Sequence, residues 1–144
     1  STRYATERVQ FGKPISAFQA IQHQLAQMAQ QTGSAIVSAE AAFAESGEQL
    51  AAWQIAAAKV CGAEAAGSVA AMAHAVHGAI GFTHEHALQL GTRRLWAWRS
   101  EFGNLGHWAQ RLGRAVAQGG AATLWPAVTS GQLATLNSSR TDSK

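Results

Sequence analysis

The sequence has few charged residues, few prolines and a single cysteine. Of its 144 residues, 13% are charged, two are proline and one is cysteine, whereas 47% are hydrophobic. This composition is too apolar for a disordered chain and predicts a packed, mostly helical domain. The length is that of one domain, so a function that needs two domains requires additional chain.

The scarcity of cysteine and of charged residues also limits which cellular compartment and which binding partners the protein can be expected to have. Cys61 stands alone, which excludes an intramolecular disulfide and a multi-cysteine zinc site and suits a reducing, cytoplasmic location. No segment has the pattern of a leader, and no uninterrupted apolar stretch looks long enough to span a bilayer. The net charge of +3 is modest, and the arginines cluster only in "TRRLWAWR". We therefore expect neither nucleic acid nor a membrane as a partner.

Apolar residues recur at steps of three and four over two long segments. One runs over 15–43 and the other over 50–76, with a break near Gly47. Helices of similar length joined by a short turn should pack antiparallel. A shorter helix is predicted over 83–99, opened by a Thr-His-Glu cap, and another from Asn104. The predicted fold class is all-α, an antiparallel helical bundle.

The pattern weakens towards the C-terminus. Pro126 and several glycines follow Gly119, and the last seven residues are polar. We therefore expect a helical bundle over 1–119 and a partly disordered C-terminal arm over 120–144, with a weak helical signal at 131–136.

Two motifs carry a resemblance to a known family. "YATERVQFGKPISAFQAIQHQLAQMA" resembles the stretch that opens the long helix of the acyl-CoA dehydrogenase C-terminal domain, and "HGAIGFTHEH" resembles that family's glycine-rich turn. The helical hairpin between them has the family's spacing, and together they cover nearly all of residues 3–118. The resemblance implies a four-helix bundle whose first helix is largely missing, because "STRYATERV" matches only the C-terminal end of that helix.

The same resemblance implies an activity. Members oxidise an acyl-CoA thioester at its α and β carbons with FAD, and they have N-terminal and middle domains that this chain does not match. The chain alone should therefore be inactive and should work in a longer protein or with another chain, as a homo- or hetero-oligomer. In the family, three positions contact the FAD of a neighbouring subunit. The residue at the position of Arg8 reaches the pyrophosphate or adenine end, and the one at Phe11 packs against the adenosine part. The residue at the position of Gln19 forms a hydrogen bond with the cofactor.

The residue types suit these implied roles. Arginine offers a permanently charged fork for phosphate oxygens, and phenylalanine offers an apolar wall for a flat heterocycle. Gly78, Ala79 and Gly81 would let the backbone approach a diphosphate closely. The alternative is that the "ERVQFGKP" segment only connects two helices, with Gly12 making the turn.

The sequence departs from the family at two functional positions. Ala75 replaces a glutamine that usually hydrogen-bonds FAD, and Phe102 stands where many members have the catalytic glutamate. Glu101, one residue earlier, is either a general base brought into reach by a remodelled loop or a surface carboxylate paired with Arg99 or Arg94. A second hypothesis is therefore a non-catalytic assembly subunit or helical interaction module of the same fold.

The histidines allow a third hypothesis, a metal-binding bundle. His74 and His77 lie three residues apart on a predicted helix, and His84 and His86 flank Glu85. Because the family's turn already explains "HGAIGFTHEH", we expect no metal.

Overall fold

The computed structural model describes residues 1–44 and 52–130, and helices dominate that part of the chain. The predicted all-α fold is confirmed, and the only strands in the described ranges are two short ones that form a hairpin near the N-terminus. In chain order the elements are α1 (Thr2–Glu7), β1 (Val9–Gln10), β2 (Lys13–Pro14), a 3₁₀ turn (Ile15–Ala17), α2 (Gln19–Ala44), α3 (Ala52–His77), a second 3₁₀ turn (Gly78–Phe82), α4 (Leu88–Trp98), α5 (Leu105–Gly119) and α6 (Ala121–Ser130).

The central helix is α3, which packs along α2 and also contacts α4 and α5. Its buried apolar residues are mostly alanines, which recur on several faces of the helix. Because alanine is small, neighbouring helix backbones can approach closely. The buried alanines of α3 are Ala56, Ala63, Ala65, Ala70 and Ala73. Small side chains bury little area each, and several large ones, such as Phe43 and Trp125, remain exposed. The described residues therefore form a hydrophobic core made mainly of small side chains, and several large apolar side chains remain exposed on the surface.

The segment Ala52–Phe82 is long and apolar enough to cross a membrane, by length and composition only, with a mean hydropathy of 1.3. The expectation that no apolar stretch is long enough to span a bilayer is therefore wrong by length and composition. Most of this segment is α3, which contacts α1, α2, α4 and α5 and carries the buried polar residues Gln54, His74 and His77. Of its apolar window, 22% is buried within the described part of the chain.

The two long helices agree with the apolar periodicity, but α2 begins later than expected. Ile15–Ala17 form a 3₁₀ turn, and Phe18 is extended, with φ −93° and ψ 131°, so the α-helix starts at Gln19. The break expected near Gly47 lies outside the described residues. The second helix ends at His77, as its glycine-rich continuation predicts.

The prediction of a Thr-His-Glu cap is wrong. Thr83 ends the second 3₁₀ turn, where its Oγ1 donates to the carbonyl of Ile80 at 2.9 Å, and α4 begins only at Leu88. The cap predicted at Asn104 is confirmed, because its Oδ1 accepts the N–H of His107 at 2.9 Å.

The first ten residues after Gly120 are helical. Residues Ala121–Ser130 form α6 despite Pro126 inside it, after a break at Gly120, whose φ is +78°. A proline removes one helical hydrogen bond, and a short helix that packs against α5 accommodates that loss. The weak helical signal at 131–136 lies outside the described residues.

Candidate cofactor site

The first corner of the site is the hairpin that follows α1. Its two loop residues, Phe11 and Gly12, both have positive φ, +53° and +79°, as a type I′ turn requires. The Arg8 backbone is held on both sides, since its N–H donates to the carbonyl of Tyr4 at 2.9 Å and its carbonyl accepts from Ile15 N–H at 2.8 Å. The hairpin therefore fixes where the arginine and phenylalanine side chains begin.

The second corner is the end of α3. Gly78 has φ +62°, and no atom lies within 4 Å of where a Cβ would stand, so its backbone faces open space. Gly81 differs: it is buried, and a Cβ there would lie 3.0 Å from the His77 side chain. The prediction that both glycines let a ligand approach the backbone therefore suits Gly78, which faces open space. Gly81 instead allows close packing against the His77 side chain.

The two corners face one cavity of about 410 Å³, a volume typical of ligand sites. Its wall combines one cation with aromatic and aliphatic side chains and with the open backbone after α3. The described residues that line it are Tyr4, Arg8, Gln10, Phe11, Ile15, Phe18, Ile21, Ala75, Val76, His77, Gly78 and Ala79. Residues distant in sequence thus converge on one concave surface.

The cationic and aromatic parts of this wall include the exposed side chains of Arg8 and Phe11. Arg8 is exposed and forms no ion pair within the described part of the chain, whereas Arg3 pairs weakly with Glu7 at 3.9 Å on the surface. The Phe11 ring meets the Phe18 ring edge to face at 6.1 Å, and Lys13 Nζ lies 4.4 Å from the Phe18 ring centroid. The cavity therefore offers a free guanidinium beside aromatic surface.

A contact that sequence reasoning missed joins the two corners. The ring of Tyr4 stacks on that of His77 at 4.3 Å, and its hydroxyl donates to the His77 carbonyl at 3.3 Å. The nearness of Tyr4 to Arg8 could have signalled the tyrosine, since Arg8 directly follows the helix that carries Tyr4. Its partner could not be found that way, because it lies 73 residues away.

His77 is buried against this tyrosine, and burial lowers its pKa below the ordinary value of 6.5. Its Nδ1 lies 2.7 Å from the Ala73 carbonyl, and since a carbonyl only accepts, Nδ1 carries the hydrogen. That hydrogen bond opposes the shift, while His86 and His74 add to it. A neutral ring therefore lies on the cavity wall.

Comparison with known proteins supplies the family. The family model for the acyl-CoA dehydrogenase C-terminal domain matches residues 1–116. The chain belongs to the acyl-CoA dehydrogenase family. It is 40% identical over 126 residues to acyl-CoA dehydrogenase FadE34 of Mycobacterium tuberculosis, a match covering 81% of this chain and 17% of that protein. It is 35% identical over 91 residues to acyl-CoA dehydrogenase IpdE2 of Mycolicibacterium smegmatis, covering 63% and 28%. The chain thus spans a small part of these relatives.

Within this acyl-CoA dehydrogenase domain, the predicted site residues fall into three places. Arg8, Phe11, Gly78 and Ala79 line the same cavity. Gln19 is exposed as the first residue of α2 and is not among the described residues that line the cavity. Placing it on a cofactor would require a ligand that extends beyond the cavity rim.

Glu101 lies elsewhere, in the turn between α4 and α5. Its side chain is exposed, and its main-chain carbonyl accepts a hydrogen bond from Lys59 Nζ at 2.7 Å. It is not part of the described lining of the Arg8 cavity, so the structure does not bring the candidate base and the candidate cofactor residues together.

The residues of the Arg8 cavity fit the dinucleotide cofactor that the family implies. A guanidinium suits a pyrophosphate, and exposed rings suit a flat heterocycle. The space where a Gly78 Cβ would stand is open, so backbone can approach the ligand there. Ala75, in place of the family's usual glutamine, is exposed on the same wall and contributes no hydrogen bond from its side chain.

The histidines of the glycine-rich turn are engaged with other side chains. His74 Nε2 lies 2.9 Å from Thr92 Oγ1, and its ring stacks between Phe82 and Trp96 at 4.5 and 5.9 Å. Among the residues the structure describes, no group of three or more His, Cys, Asp or Glu side chains is placed to hold a metal ion.

Proposed function

We propose that this chain is the C-terminal domain of an FAD-dependent acyl-CoA dehydrogenase and that it contributes FAD contacts to a neighbouring subunit. The observation that carries the proposal is the convergence of Arg8 and Phe11 with Gly78 and Ala79 on one cavity. The family membership makes an acyl-CoA thioester the proposed substrate class.

The exposure of the hairpin supports a ligand shared between subunits. Phe11 is 92% exposed although it occupies a strained backbone conformation, so its ring is not held by this chain's own core. A ring displayed in this way gains its contacts from outside the chain. Arg8, exposed beside it, would meet the phosphates of the same ligand.

FAD, when bound, would accept the hydride that leaves the β carbon of the thioester. This chain's proposed part is to hold the cofactor: Arg8 neutralises the pyrophosphate charge, Phe11 covers a flat face, and Gly78 and Ala79 let the phosphates approach the backbone. The base that removes the α proton would be Glu101 after rearrangement of its turn, or a carboxylate supplied outside these 144 residues.

The second candidate function is that of a non-catalytic assembly subunit with the same fold. Two observations favour it: Phe102 stands at the family's glutamate position, and Glu101 does not line the Arg8 cavity. Ala75, in place of a cofactor-binding glutamine, points in the same direction.

Flavin binding by the full-length protein, with any partner subunit, tests the cofactor role. Arg8→Gln should weaken FAD binding roughly 10- to 100-fold, because hydrogen bonds to charged groups contribute about 1.5–3 kcal/mol. Arg3→Gln is the matched control: it removes an exposed arginine of α1, the helix that ends just before Arg8, and Arg3 does not line the cavity. Equal FAD affinities for the two variants, or a wild-type protein that stays colourless with added FAD, would overturn the proposal.

Turnover separates the two candidate functions. The flavin-loaded assembly is given acyl-CoA thioesters of several chain lengths and an artificial electron acceptor. An enzyme bleaches its flavin and reduces the acceptor, whereas an assembly subunit binds FAD and gives no turnover. Glu101→Gln then asks whether the base is in this chain, with loss of turnover at unchanged FAD affinity as the positive result.

A further inference from the structure

The turn that carries Gly78 and Ala79 packs on a histidine of α3. Gly78 and Ala79 are exposed on the cavity wall, whereas Gly81, further along the same turn, is buried. A Cβ at Gly81 would lie 3.3 Å from His74 Nδ1 and 3.0 Å from the His77 Cβ, so the turn lies directly on the last turn of α3. His74 is not among the described residues that line the cavity. It therefore supports the wall without being part of it.

Two aromatic rings stack with the His74 imidazole. Phe82 ends the turn, and its ring lies 4.5 Å from that of His74 at an interplanar angle of 28°. Trp96, on α4, lies 5.9 Å away at an angle of 18°. The three rings belong to the turn, to α3 and to α4, so the histidine connects the three elements that meet behind the cavity wall.

A hydrogen bond fixes the orientation of the imidazole. His74 Nε2 lies 2.9 Å from Thr92 Oγ1, and both residues are buried. The threonine is itself held in place, because its hydroxyl lies 3.3 Å from the Leu88 carbonyl, one helical turn earlier. The histidine thus has a fixed partner on α4, and this partner determines how its ring is turned towards Phe82.

The other ring nitrogen has no such partner. His74 Nδ1 is buried and forms no hydrogen bond with any residue that the structure describes. A buried polar atom without a partner costs free energy, and an apolar side chain would fill the same place without that cost. Stability alone therefore does not explain a histidine here. A fixed ring does, since a leucine could neither stack with Phe82 nor bond to Thr92.

We propose that His74 and Thr92 are positioning residues for the cofactor site. They fix the place of the Phe82 ring and thereby hold the backbone of Gly78 and Ala79 at the cavity wall. The inference rests on the proposed cofactor role of the cavity for its functional meaning, but the placement of the turn can be measured without a cofactor.

Thr92→Val in the full-length protein, with any partner subunit, tests the inference. Valine has nearly the shape of threonine but no hydroxyl, so the His74 ring loses the partner that fixes it. FAD affinity should fall about two- to tenfold, the usual effect of one lost hydrogen bond. Thr92→Ser keeps the hydroxyl and should recover most of the affinity. Thr129→Val is the matched control, because that hydroxyl bonds only to carbonyls of its own helix, α6.

Two readouts separate positioning from a general loss of stability. Amide hydrogen exchange, measured without flavin, should become faster over residues 78–82 in Thr92→Val and stay unchanged in α5. FAD affinity should fall while FMN affinity does not, because FMN lacks the pyrophosphate that Gly78 and Ala79 are proposed to approach. A purely structural role would instead raise exchange throughout the domain and weaken both flavins alike.

Phe82→Ala keeps the inference testable if Thr92→Val does not fold. The Phe82 ring is 70% exposed, so its removal leaves the buried core in place but takes away the contact between the turn and His74. It should reproduce the selective loss of FAD affinity. Phe102→Ala, which removes another exposed ring outside the described lining of the cavity, should not.

Three results would overturn the inference: unchanged FAD affinity in both Thr92→Val and Phe82→Ala, unchanged exchange over residues 78–82 in both, or equal losses of FAD and FMN affinity. A Thr92→Ser variant that binds FAD as weakly as Thr92→Val would also contradict it, because the hydroxyl would then not matter. An assembly that binds no FAD contradicts the proposed function instead, and the exchange data still decide whether His74 and Thr92 hold the turn.

Discussion

Two Phe-Gly turns in this chain share a backbone conformation and differ in their surroundings. Phe11 and Gly12 have φ of +53° and +79°, and Phe102 and Gly103 have φ of +56° and +101°. Both phenylalanines are almost fully exposed, at 92% and 90%. A bulky residue with positive φ is a strained outlier that costs about 1–3 kcal/mol. The strain is similar in both turns, so their difference lies in what each turn contacts.

The second turn is packed from within the chain. Trp108 Nε1 donates to the Phe102 carbonyl at 2.9 Å, and a Cβ on Gly103 would lie only 2.7 Å from that same nitrogen. Asn104, the next residue, caps α5. The strain at this turn is thus offset by local hydrogen bonds between the turn and α5.

The first turn has no such packing. Nothing lies within 4 Å of where a Gly12 Cβ would stand, and the Phe11 ring contacts only Phe18 among the ring pairs of the described residues. The hydrogen bonds of the hairpin hold the backbone of this turn, whereas the exposed Phe11 ring is left available for contacts outside the chain. The comparison therefore supports a connecting role for the second turn and a ligand-binding role for the first.

The largest expected effect comes from adding a methyl group to each glycine. Gly103→Ala should lower the free energy of unfolding by about 3 kcal/mol, because it combines positive-φ strain with overpacking against Trp108. Gly12→Ala should cost about 1–2 kcal/mol, from strain alone. Urea denaturation of the two variants measures both. Equal losses would show that the second turn is not packed as described.

The next effect concerns the two exposed rings. Phe11→Ala should weaken FAD binding to the full assembly about two- to twelvefold, since an aromatic contact contributes about 0.5–1.5 kcal/mol. Phe102→Ala, with the same exposure and backbone conformation, should leave FAD affinity unchanged. Flavin fluorescence titration compares them, and an effect of Phe102→Ala as large as that of Phe11→Ala would remove the functional distinction between the turns.

The sequence predicted the helices whose apolar residues recur at regular steps and the cap that depends on one residue. The α2–α3 pair and the Asn104 cap follow from apolar steps of three and four and from a single capping residue. The hairpin around Phe11 was not predicted, because its two-residue strands are too short for any alternation to show. The Thr83 cap failed because the hydroxyl serves the preceding 3₁₀ turn, and the helix at Ala121–Ser130 forms although Pro126 disfavours it.

The candidate site was only partly within reach of the sequence. Family resemblance pointed to Arg8, Phe11, Gly78 and Ala79, which the fold brings to one cavity. The resemblance could not show that Glu101 lies outside the described lining of this cavity. The position of a residue in a sequence motif does not determine which surface of the fold its turn lies on. Nor could it find the Tyr4–His77 stack, because pairings between distant residues depend on how helices pack.

A smaller effect isolates the hydrogen bond that locks the second turn. Trp108→Phe keeps an aromatic ring but removes the donor to the Phe102 carbonyl, which should cost about 1 kcal/mol of unfolding free energy. FAD affinity should not change. The variant should also reduce the cost of Gly103→Ala, because the nitrogen that meets the new Cβ is gone, and a double-mutant cycle measures that coupling. Strictly additive losses would contradict the contact.

The smallest effect separates strain from function at each turn. Asparagine tolerates positive φ better than phenylalanine, and both rings bury almost nothing within the described chain, so Phe11→Asn and Phe102→Asn should each raise the free energy of unfolding by about 0.5 kcal/mol. Phe102→Asn should have no other consequence. Phe11→Asn should gain stability and lose FAD affinity together, because the ring it removes is kept for the ligand rather than for the fold. Thermal denaturation and flavin titration of the same two proteins test this, and a Phe11→Asn variant that is more stable yet binds FAD as tightly as wild type would show that the first turn, too, is only a connection.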